Sequence, residues 1–220
     1  MCGRFTLALD PDEMEAAFEL TAPKDWAARY NLAPTQPVAV IANAANRKIE
    51  LFRWGLVPGW ATDVKIGSRM INARAETLAE KPSFRTALKK RRCLVLADGF
   101  YEWKKTGKSK TPMYIQLKGG KPFAFAGLWE VWKSADKKET IKSCTIITTE
   151  PNALMSDIHD RMPVILPPKA YDLWLAPDEM TADQLLPLLK PFATSQMKAV
   201  AVSTLVNSPA TDVPECIVPV

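Results

Sequence analysis

The sequence predicts an α+β fold: a single domain, residues 1–220, built on a strongly curved, mainly antiparallel and barrel-like sheet flanked by short helices. Three observations support this prediction. Short runs rich in β-branched and aromatic residues outnumber the helical patterns. The helical patterns do not alternate regularly with those runs, which argues against a doubly wound parallel sheet. The chain also contains no repeat and no low-complexity linker that would divide it.

The predicted elements follow the chain in order. The first helix begins after Asp10, an N-cap that is followed by Pro11 and by Glu13 at the capping-box position. Further helices are predicted at 83–90, 169–175 and 181–189. Pro187 kinks the last of them. Strands are predicted at 38–42, 49–54, 93–97, 113–117, 123–129, 144–149, 164–166, 198–203 and 217–220. The polar segment 133–142 is predicted to be a hairpin tip.

Composition bounds the class of protein. With 220 residues and 47% hydrophobic content, the chain is long enough to bury a sizeable core. No apolar run approaches the roughly 20 residues of a membrane helix, and the N-terminus lacks a secretory layout. We therefore expect a cytoplasmic protein with no membrane partner. The four cysteines are widely spaced, and no motif calls for a metal or an organic cofactor.

The charge pattern permits an anionic partner without proving one. The formal net charge is +5 and the sequence pI is about 9.0. Two basic clusters contribute, and each is either a solvated face or a contact surface: Lys89, Lys90, Arg91 and Arg92, and Lys104, Lys105, Lys108 and Lys110. Four tryptophans lie beside Pro, Gly or charged residues, and they are either core residues or exposed ring platforms: Trp26, Trp54, Trp60 and Trp103.

Residue 2 is a cysteine, which is small enough to permit removal of Met1. Removal would leave an α-amine and a thiol on Cys2, with reference pKa values of about 8 and 8.5. The amine can form an imine with an aldehyde, and the thiol can then close a five-membered ring. An N-terminal nucleophile can equally attack an acyl group. The alternative is that Cys2 lies in a frayed terminus and has no chemical role.

Three polar segments contain candidate site residues. His159 lies among acidic and basic neighbours just before an apolar strand, where it could move protons or be structural. Glu102 follows the strand predicted at 93–97, where partial burial would raise its pKa; the alternative is the wet face of a strand. Asn72 offers a donor and an acceptor, and Arg74 offers a fork for phosphate, although Asn72 could instead be a helix N-cap.

Six segments are distinctive in this order: Met1–Phe5, Tyr30–Pro34, Trp54–Trp60, Asn72–Thr77, Asp98–Trp103 and Asp157–Pro163. Together they closely resemble the SOS-response-associated peptidase (SRAP) family of abasic-site processing proteins. The match spans residues 2 to about 166, and 202–220 is similar to the family's C-terminal strand region. The resemblance implies a monomeric protein that traps abasic sites in single-stranded DNA and that is associated with the nucleoid if it is bacterial.

The resemblance also implies the role of each catalytic residue. The Cys2 amine would form an imine with the aldehyde of the abasic sugar, and its thiol would close a thiazolidine ring. Asn72 would orient Cys2. Glu102 would shuttle protons during imine formation. His159 would help to open the sugar and to reverse the link.

Six further residues would contact DNA according to the same resemblance. Three arginines would hold phosphates around the lesion: Arg4, Arg74 and Arg161. Three apolar side chains would stack on or wedge against neighbouring bases: Pro34, Trp60 and Trp103. Stacking on aromatic rings tolerates any base sequence, which suits recognition of a missing base.

Two other functions remain open from the sequence. A cysteine peptidase, acting on other chains or on its own first residue, would use Cys2 as its nucleophile. A non-covalent single-stranded DNA-binding module would leave Cys2 without a role. The nature of the substrate separates these alternatives, because the same residue types serve acyl and aldehyde chemistry.

Overall fold

The structure is a computed structural model that describes residues 2–220, so the predicted removal of Met1 lies outside the described residues. The strands are β1 Phe5–Leu7, β2 Arg29–Leu32, β3 Pro37–Ala42, β4 Ile49–Trp54, β5 Asn72–Arg74, β6 Arg92–Ala97, β7 Gly99–Thr106, β8 Ser109–Leu117, β9 Phe123–Lys133, β10 Thr140–Thr149, β11 Met162–Pro163, β12 Ile165–Leu166 and β13 Met197–Ala201. The α-helices are α1 Pro11–Phe18, α2 Pro82–Lys90, α3 Ala153–Ser156, α4 Tyr171–Trp174 and α5 Ala182–Leu185. Short 3-10 helices span Val64–Arg69, Ala75–Thr77, Pro168–Ala170, Leu186–Leu188, Thr194–Gln196, Thr204–Asn207 and Pro214–Ile217.

Five strands close into a barrel. β10 pairs with β4, β4 with β3, β3 with β6, β6 with β9, and β9 again with β10. An odd number of strands cannot alternate in direction around a closed ring, so at least one neighbouring pair must be parallel. That pair is β4 and β10, with Arg53 opposite Ser143 and Trp54 opposite Cys144. Closure leaves these strands with partners on both edges. β5 continues the β4 edge of β10, and β11 and β12 pair with β10 and β9 beyond the stretch in which those two strands pair with each other.

A second, wholly antiparallel sheet has the order β13-β8-β7-β1-β2. The first residue of its strand β7 is Gly99. A larger residue would clash at this position, because a Cβ there would lie 2.3 Å from the Tyr114 ring. The Tyr114 hydroxyl in turn lies 2.9 Å from the Thr6 hydroxyl, which also bonds to the Asp98 carboxylate. These contacts fix the start of β7 against β1.

Aromatic side chains join the barrel to the second sheet. The Phe5 ring on β1 packs edge-on against Trp54 of β4 and Phe125 of β9, with centroids 5.0 and 5.7 Å apart. Phe100 on β7 meets Phe125 at 6.0 Å. Such pairs contribute about 0.5–1.5 kcal/mol each beyond the burial of their area. Phe5 therefore holds the N-terminal segment where the two sheets meet.

The predicted fold class and most predicted elements are confirmed. The capping box at Asp10 is present, with the Glu13 amide donating to the Asp10 carboxylate at 2.9 Å. The segment 133–142 is the tip of the antiparallel β9–β10 hairpin. The helix predicted at 181–189 is α5 followed by the 3-10 turn that contains Pro187.

Other predictions were incomplete or wrong. The strand predicted at 217–220 is wrong: a 3-10 helix ends at Ile217, and a single bridge joins Val202 to Pro219. Pro219 has no N–H to donate to a ladder. Five strands were missed: β1, β2, β5, β7 and β11. Trp54 is fully buried and Trp26 is 8% exposed, so these two rings belong to the core.

Candidate functional site

Cys2 is completely buried where the two sheets meet. Its carbonyl oxygen accepts a hydrogen bond of 2.7 Å from the Asn72 side-chain amide. Its sulfur lies 4.0 Å from the Arg4 carbonyl oxygen. Burial raises the pKa of the Cys2 thiol far above its usual range, and the charge of Glu102 raises it further. The thiol is therefore held in its neutral form, and residue 2 is not frayed.

The pairing of β7 with β1 places Glu102 close to Cys2. Phe5 lies opposite Phe100, and the Tyr101 amide donates to the Arg4 carbonyl at 2.9 Å, so continuation of this register brings Glu102 beside the N-terminal residues. Glu102 is only 3% exposed, which excludes the solvent-facing side of the strand. Burial raises its carboxyl pKa, while nearby His159 acts in the opposite direction.

His159 lies between α3 and β11 with its ring directed at Glu102. Its Nε2 is 4.0 Å from Glu102 Oε2. Its Nδ1 lies 2.8 Å from a carboxylate oxygen of Asp160 and 3.0 Å from the Arg161 amide nitrogen. Asp160 favours a proton on Nδ1, whereas the Arg161 N–H favours one on Nε2. The ring can therefore present either a lone pair or an N–H to the Glu102 side.

Asn72 completes this group from the barrel side. Because β5 pairs with β10, Asn72 lies opposite Ile146, and its amide group reaches the Cys2 carbonyl. Its Oδ1 is buried and accepts no hydrogen bond from residues 2–220. A buried acceptor without a donor is unfavourable, so this oxygen is available to a further group. Asn72 begins a strand and does not cap a helix.

Arg4 and Trp103 form a second group beside Cys2. The Arg4 guanidinium donates to the Asn31 side-chain oxygen at 2.8 Å and to the Val206 carbonyl at 2.7 Å. Its central carbon lies 5.9 Å from the Trp103 ring centroid. The Trp103 indole N–H donates to Asn207 at 2.7 Å. Residues near the C-terminus thus orient two of the predicted DNA-binding side chains.

Arg74 and Arg161 differ in their surroundings. Arg74 is exposed on β5. The Arg161 guanidinium forms a two-pronged ion pair with Glu76, at 2.7 and 2.9 Å, and also donates to the Thr148 carbonyl at 2.7 Å. The hydrogen bond from Arg161 lowers the pKa of Glu76 and keeps that carboxylate charged. Arg161 would have to exchange Glu76 for a phosphate in order to bind DNA.

Trp60 and Pro34 have no hydrogen bond or ring contact with the other predicted site residues within 2–220. Trp60 is 64% exposed, which is unusual for so large a ring. It borders a depression of about 460 Å³ beside the 3-10 helix Val64–Arg69, lined also by Lys65 and Arg69. Pro34 is half-buried. A separate cavity of about 430 Å³, between α1 and α4, contains none of the predicted site residues.

Sequence reasoning missed the residues that support the site. Asn31 and Asn207 hold Arg4 and Trp103, and Glu76 holds Arg161. Asn31 and Glu76 fall inside the distinctive segments, but nothing local indicates their partners. Residues 2–220 contain no group of three or more His, Cys, Asp and Glu side chains suited to a metal ion. No helix in the same range has the length and apolar character that crossing a membrane requires.

Comparisons with known proteins give a consistent relationship. The family model for SOS response associated peptidase (SRAP) matches residues 1–209. The abasic site processing protein YoqW of Bacillus subtilis (strain 168) is 49% identical over 222 residues, with 99% of each chain covered. The abasic site processing protein HMCES of Xenopus tropicalis is 31% identical, covering 98% of this chain and 77% of that one. A crystal structure of a protein from Bacteroides thetaiotaomicron superposes with a TM-score of 0.91 at 28% identity, and both chains are fully covered. The chain therefore belongs to the SRAP family.

Proposed function

We propose that this protein acts on abasic sites in single-stranded DNA and forms a covalent thiazolidine link to them through Cys2, once Met1 has been removed. The observation that carries the proposal is the polar group assembled around buried Cys2: the Asn72 amide bonds to its carbonyl, the Glu102 carboxyl lies close enough to raise the pKa of its thiol, and the His159 imidazole faces Glu102. The names of the relatives, which are abasic site processing proteins, support the same substrate.

The chemistry balances in two steps. The sugar at an abasic site opens to an aldehyde, and the Cys2 amine adds to its carbon and expels one water as the imine forms. The Cys2 thiol then adds across the imine, with its proton passing to nitrogen and its sulfur to carbon. The product is a five-membered ring that joins protein to DNA with net loss of one water. The closed ring that ends this lyase-like Schiff-base chemistry shields the sugar from strand cleavage, because it has no C=N bond left to promote elimination.

The residues around Cys2 would supply the proton transfers that the reaction needs. Imine formation needs a neutral amine to attack and a protonated oxygen to leave, so an acid and a base must serve one carbon. The buried Glu102 carboxyl, with its raised pKa, suits the exchange of that proton. His159, which faces Glu102, assists in opening the sugar and in reversing the link. The unpartnered Oδ1 of Asn72 is available to orient the amine.

The burial of the thiol supports an order for the two bonds, in which the amine reacts before the sulfur. Burial keeps the Cys2 sulfur protonated, which makes it a poor first nucleophile. A neutral thiol can still add to an imine, which is far more electrophilic than an amide. This weighs against a cysteine peptidase, in which a thiolate attacks a peptide bond. Addition of the thiol to an imine also gives Cys2 a chemical role. In a non-covalent DNA-binding module, Cys2 would have none.

Around this centre, the proposed DNA contacts are of two kinds. Arg4 and Arg74 hold phosphates, and Arg161 does so after exchanging its ion pair with Glu76. Pro34, Trp60 and Trp103 contact the bases on either side of the lesion, because an exposed ring such as Trp60 offers a stacking surface to any base. We further propose that the protein is a monomer and that it is cytoplasmic. Four free and buried cysteines are consistent with a reducing compartment.

The experiment that tests this function uses untagged protein and a single-stranded oligonucleotide with one abasic site. A band that resists denaturation is expected with the abasic oligonucleotide and not with the same oligonucleotide carrying all its bases. A version extended by one residue before Cys2 is the matched control, because its amine has no neighbouring thiol. A resistant band from the extended version would contradict the proposed ring.

His159→Ala is expected to slow link formation or its reversal by about 10²-fold, the lower range for loss of a general acid or base. Affinity for an oligonucleotide without a lesion should stay within about twofold, because the ring faces Glu102 from the protein side. Single-turnover gels and fluorescence anisotropy measure the two quantities. Complete loss of non-covalent binding would show instead that His159 is structural.

Arg74→Ala is expected to weaken DNA binding and to reduce its salt dependence. Loss of one phosphate contact on a single strand lowers the slope of log affinity against log salt by about 0.7. Anisotropy titrations at several salt concentrations measure the slope. Arg85→Ala, at an exposed arginine on α2, is the matched control and should leave the slope unchanged. An unchanged slope for Arg74→Ala would remove Arg74 from the DNA contacts.

A further inference from the structure

The β7–β8 hairpin continues past the sheet that carries it. On one side, the pairing of β8 with β13 ends at Met113. On the other side, the pairing of β7 with β1 ends at Phe100, followed by the hydrogen bond from Tyr101 to Arg4. The rungs from Lys104–Thr111 to Thr106–Ser109 pair only with each other. We call residues 104–111 the lysine ribbon, because four of these eight residues are lysines.

The lysine ribbon carries positive charge that the protein does not balance. Lys105 and Lys110 lie directly opposite each other across the two strands. Like charges in such a pair are destabilising. Within residues 2–220, none of the ribbon ammonium groups lies within 4.0 Å of a carboxylate oxygen. The residues beyond Lys104 and before Thr111 are exposed.

The other basic cluster is balanced from within. Lys90 pairs with Glu179 at 3.1 Å, and Arg91 pairs with Glu130 at 2.7 Å. Arg92 is buried and donates to main-chain carbonyls at the ends of α2 and α4. Three of the four residues of this cluster are thus committed to internal contacts, and only Lys89 is exposed without an ion pair within residues 2–220, in contrast to the lysine ribbon.

The β9–β10 hairpin gives the same contrast. Its lysines at 133, 137 and 138 are exposed, but the turn also contains Asp136 and Glu139. Lys138 lies 3.7 Å from the Asp136 carboxylate. An exposed hairpin tip of this protein can therefore carry both signs of charge. The uniformly positive charge of the lysine ribbon is not explained by solvation alone.

The direction of the lysine ribbon relates it to the site. Strand β7 passes Glu102 and Trp103 before it enters the ribbon, so the ribbon leaves the sheet at the end where Cys2 lies. At about 3.3 Å per residue, its tip lies roughly 10–15 Å beyond Trp103. A DNA strand held at Trp103 and continuing in that direction would meet the lysines with its next phosphates.

We propose that the lysine ribbon binds the phosphate backbone of the DNA strand that flanks the lesion. The inference rests on the proposed function for its choice of DNA as the polyanion. Phosphates would relieve the repulsion between Lys105 and Lys110 and release counterions from the strand. The ribbon would contribute to affinity without reading base sequence, because lysine contacts to phosphate carry no sequence information.

The test compares two triple variants that lower the formal net charge equally, from +5 to +2. The ribbon variant is Lys105→Gln, Lys108→Gln and Lys110→Gln. The control variant is Lys133→Gln, Lys137→Gln and Lys138→Gln on the β9–β10 hairpin. The probe is a labelled single-stranded oligonucleotide that carries all its bases, so binding is measured without covalent chemistry. Anisotropy titrations at several salt concentrations give the affinity and its salt slope.

For the ribbon variant, we expect the slope to fall by about 2, the sum for three single-strand phosphate contacts, and for the control to match the wild type. Equal slopes in wild type and ribbon variant, or an equal fall in both variants, would overturn the inference. If the triple variant does not fold, Lys105→Gln alone replaces it in the test, and we expect this single variant to lower the slope by about 0.7. Failure of wild-type crosslinking with a normal ribbon effect would overturn the proposed chemistry alone.

Discussion

Cys2→Ala and Cys2→Ser are expected to abolish the denaturant-resistant link to abasic DNA. Both variants keep a small second residue, so Met1 should still be removed and the α-amine should remain. Each can form an imine, but neither has a thiol to close the ring, and the imine hydrolyses when the sample is denatured. Denaturing gels of protein with abasic oligonucleotide measure the outcome.

Borohydride provides the control for this experiment. It reduces an imine to a stable amine, so added borohydride should restore a resistant band for both variants. That result would separate the role of the amine from the role of the thiol. A resistant band for Cys2→Ala without borohydride would contradict ring closure by Cys2.

Glu102→Gln is expected to have two opposite effects. It should slow crosslinking by about 10²–10⁴-fold, because glutamine cannot exchange the proton that imine formation requires. It should also stabilise the protein at neutral pH, because the buried carboxylate, whose pKa is raised by burial, is replaced by an uncharged amide. Each kcal/mol gained would raise the melting temperature by about 2–4 °C in a chain of this size.

The sign of the stability effect determines its pH dependence. Since the pKa of Glu102 is higher in the folded state, the folded protein binds more protons than the unfolded chain above the unfolded value of 4.5. Wild-type stability from this group therefore falls as the pH rises through the folded pKa. The advantage of Glu102→Gln should be small near pH 4 and full at neutral pH. Urea unfolding at several pH values measures it.

Glu50→Gln is a matched control of opposite sign. Burial acts to raise the pKa of Glu50, but the hydrogen bond and charge of Lys142, at 2.7 Å, lower it overall. Its removal should reduce stability at neutral pH and leave crosslinking unchanged. If Glu102→Gln also reduced stability at neutral pH, the carboxyl would be part of the scaffold and the proposed destabilisation by its burial would be wrong.

The barrel could be predicted from the sequence because its strands are signalled locally. Segments such as 93–97 and 144–149 are short apolar runs with β-branched residues, and such runs favour buried strands. Strand β7 was missed because it opens with Gly99 and ends in the polar lysine ribbon. Strand β1 is only three residues long, and its stability comes from Phe5 packing on Trp54 and Phe125.

The candidate site could be predicted only in part. Cys2, Asn72, Glu102 and His159 were identified from short segments and from a family resemblance, without any knowledge of their distances. Contacts over long separations have no local signal. Arg4 and Val206 are 202 residues apart in sequence, yet their hydrogen bond is 2.7 Å.

The two basic clusters illustrate the same limit. In the sequence, Lys89–Arg92 and the lysine ribbon are equally basic and equally ambiguous. Only the fold brings Glu130 and Glu179 to the first cluster and leaves the second without a carboxylate partner within residues 2–220. Charge in a sequence therefore becomes informative about binding after its internal partners are known.

The most direct test of the central claim is the intact mass of the wild-type conjugate before and after borohydride. We expect the mass of protein without Met1 plus DNA minus one water. We also expect no change with borohydride, because a closed thiazolidine has no imine left to reduce. A gain of two hydrogen atoms would show an open imine, and no conjugate from protein confirmed to lack Met1 would contradict covalent trapping altogether.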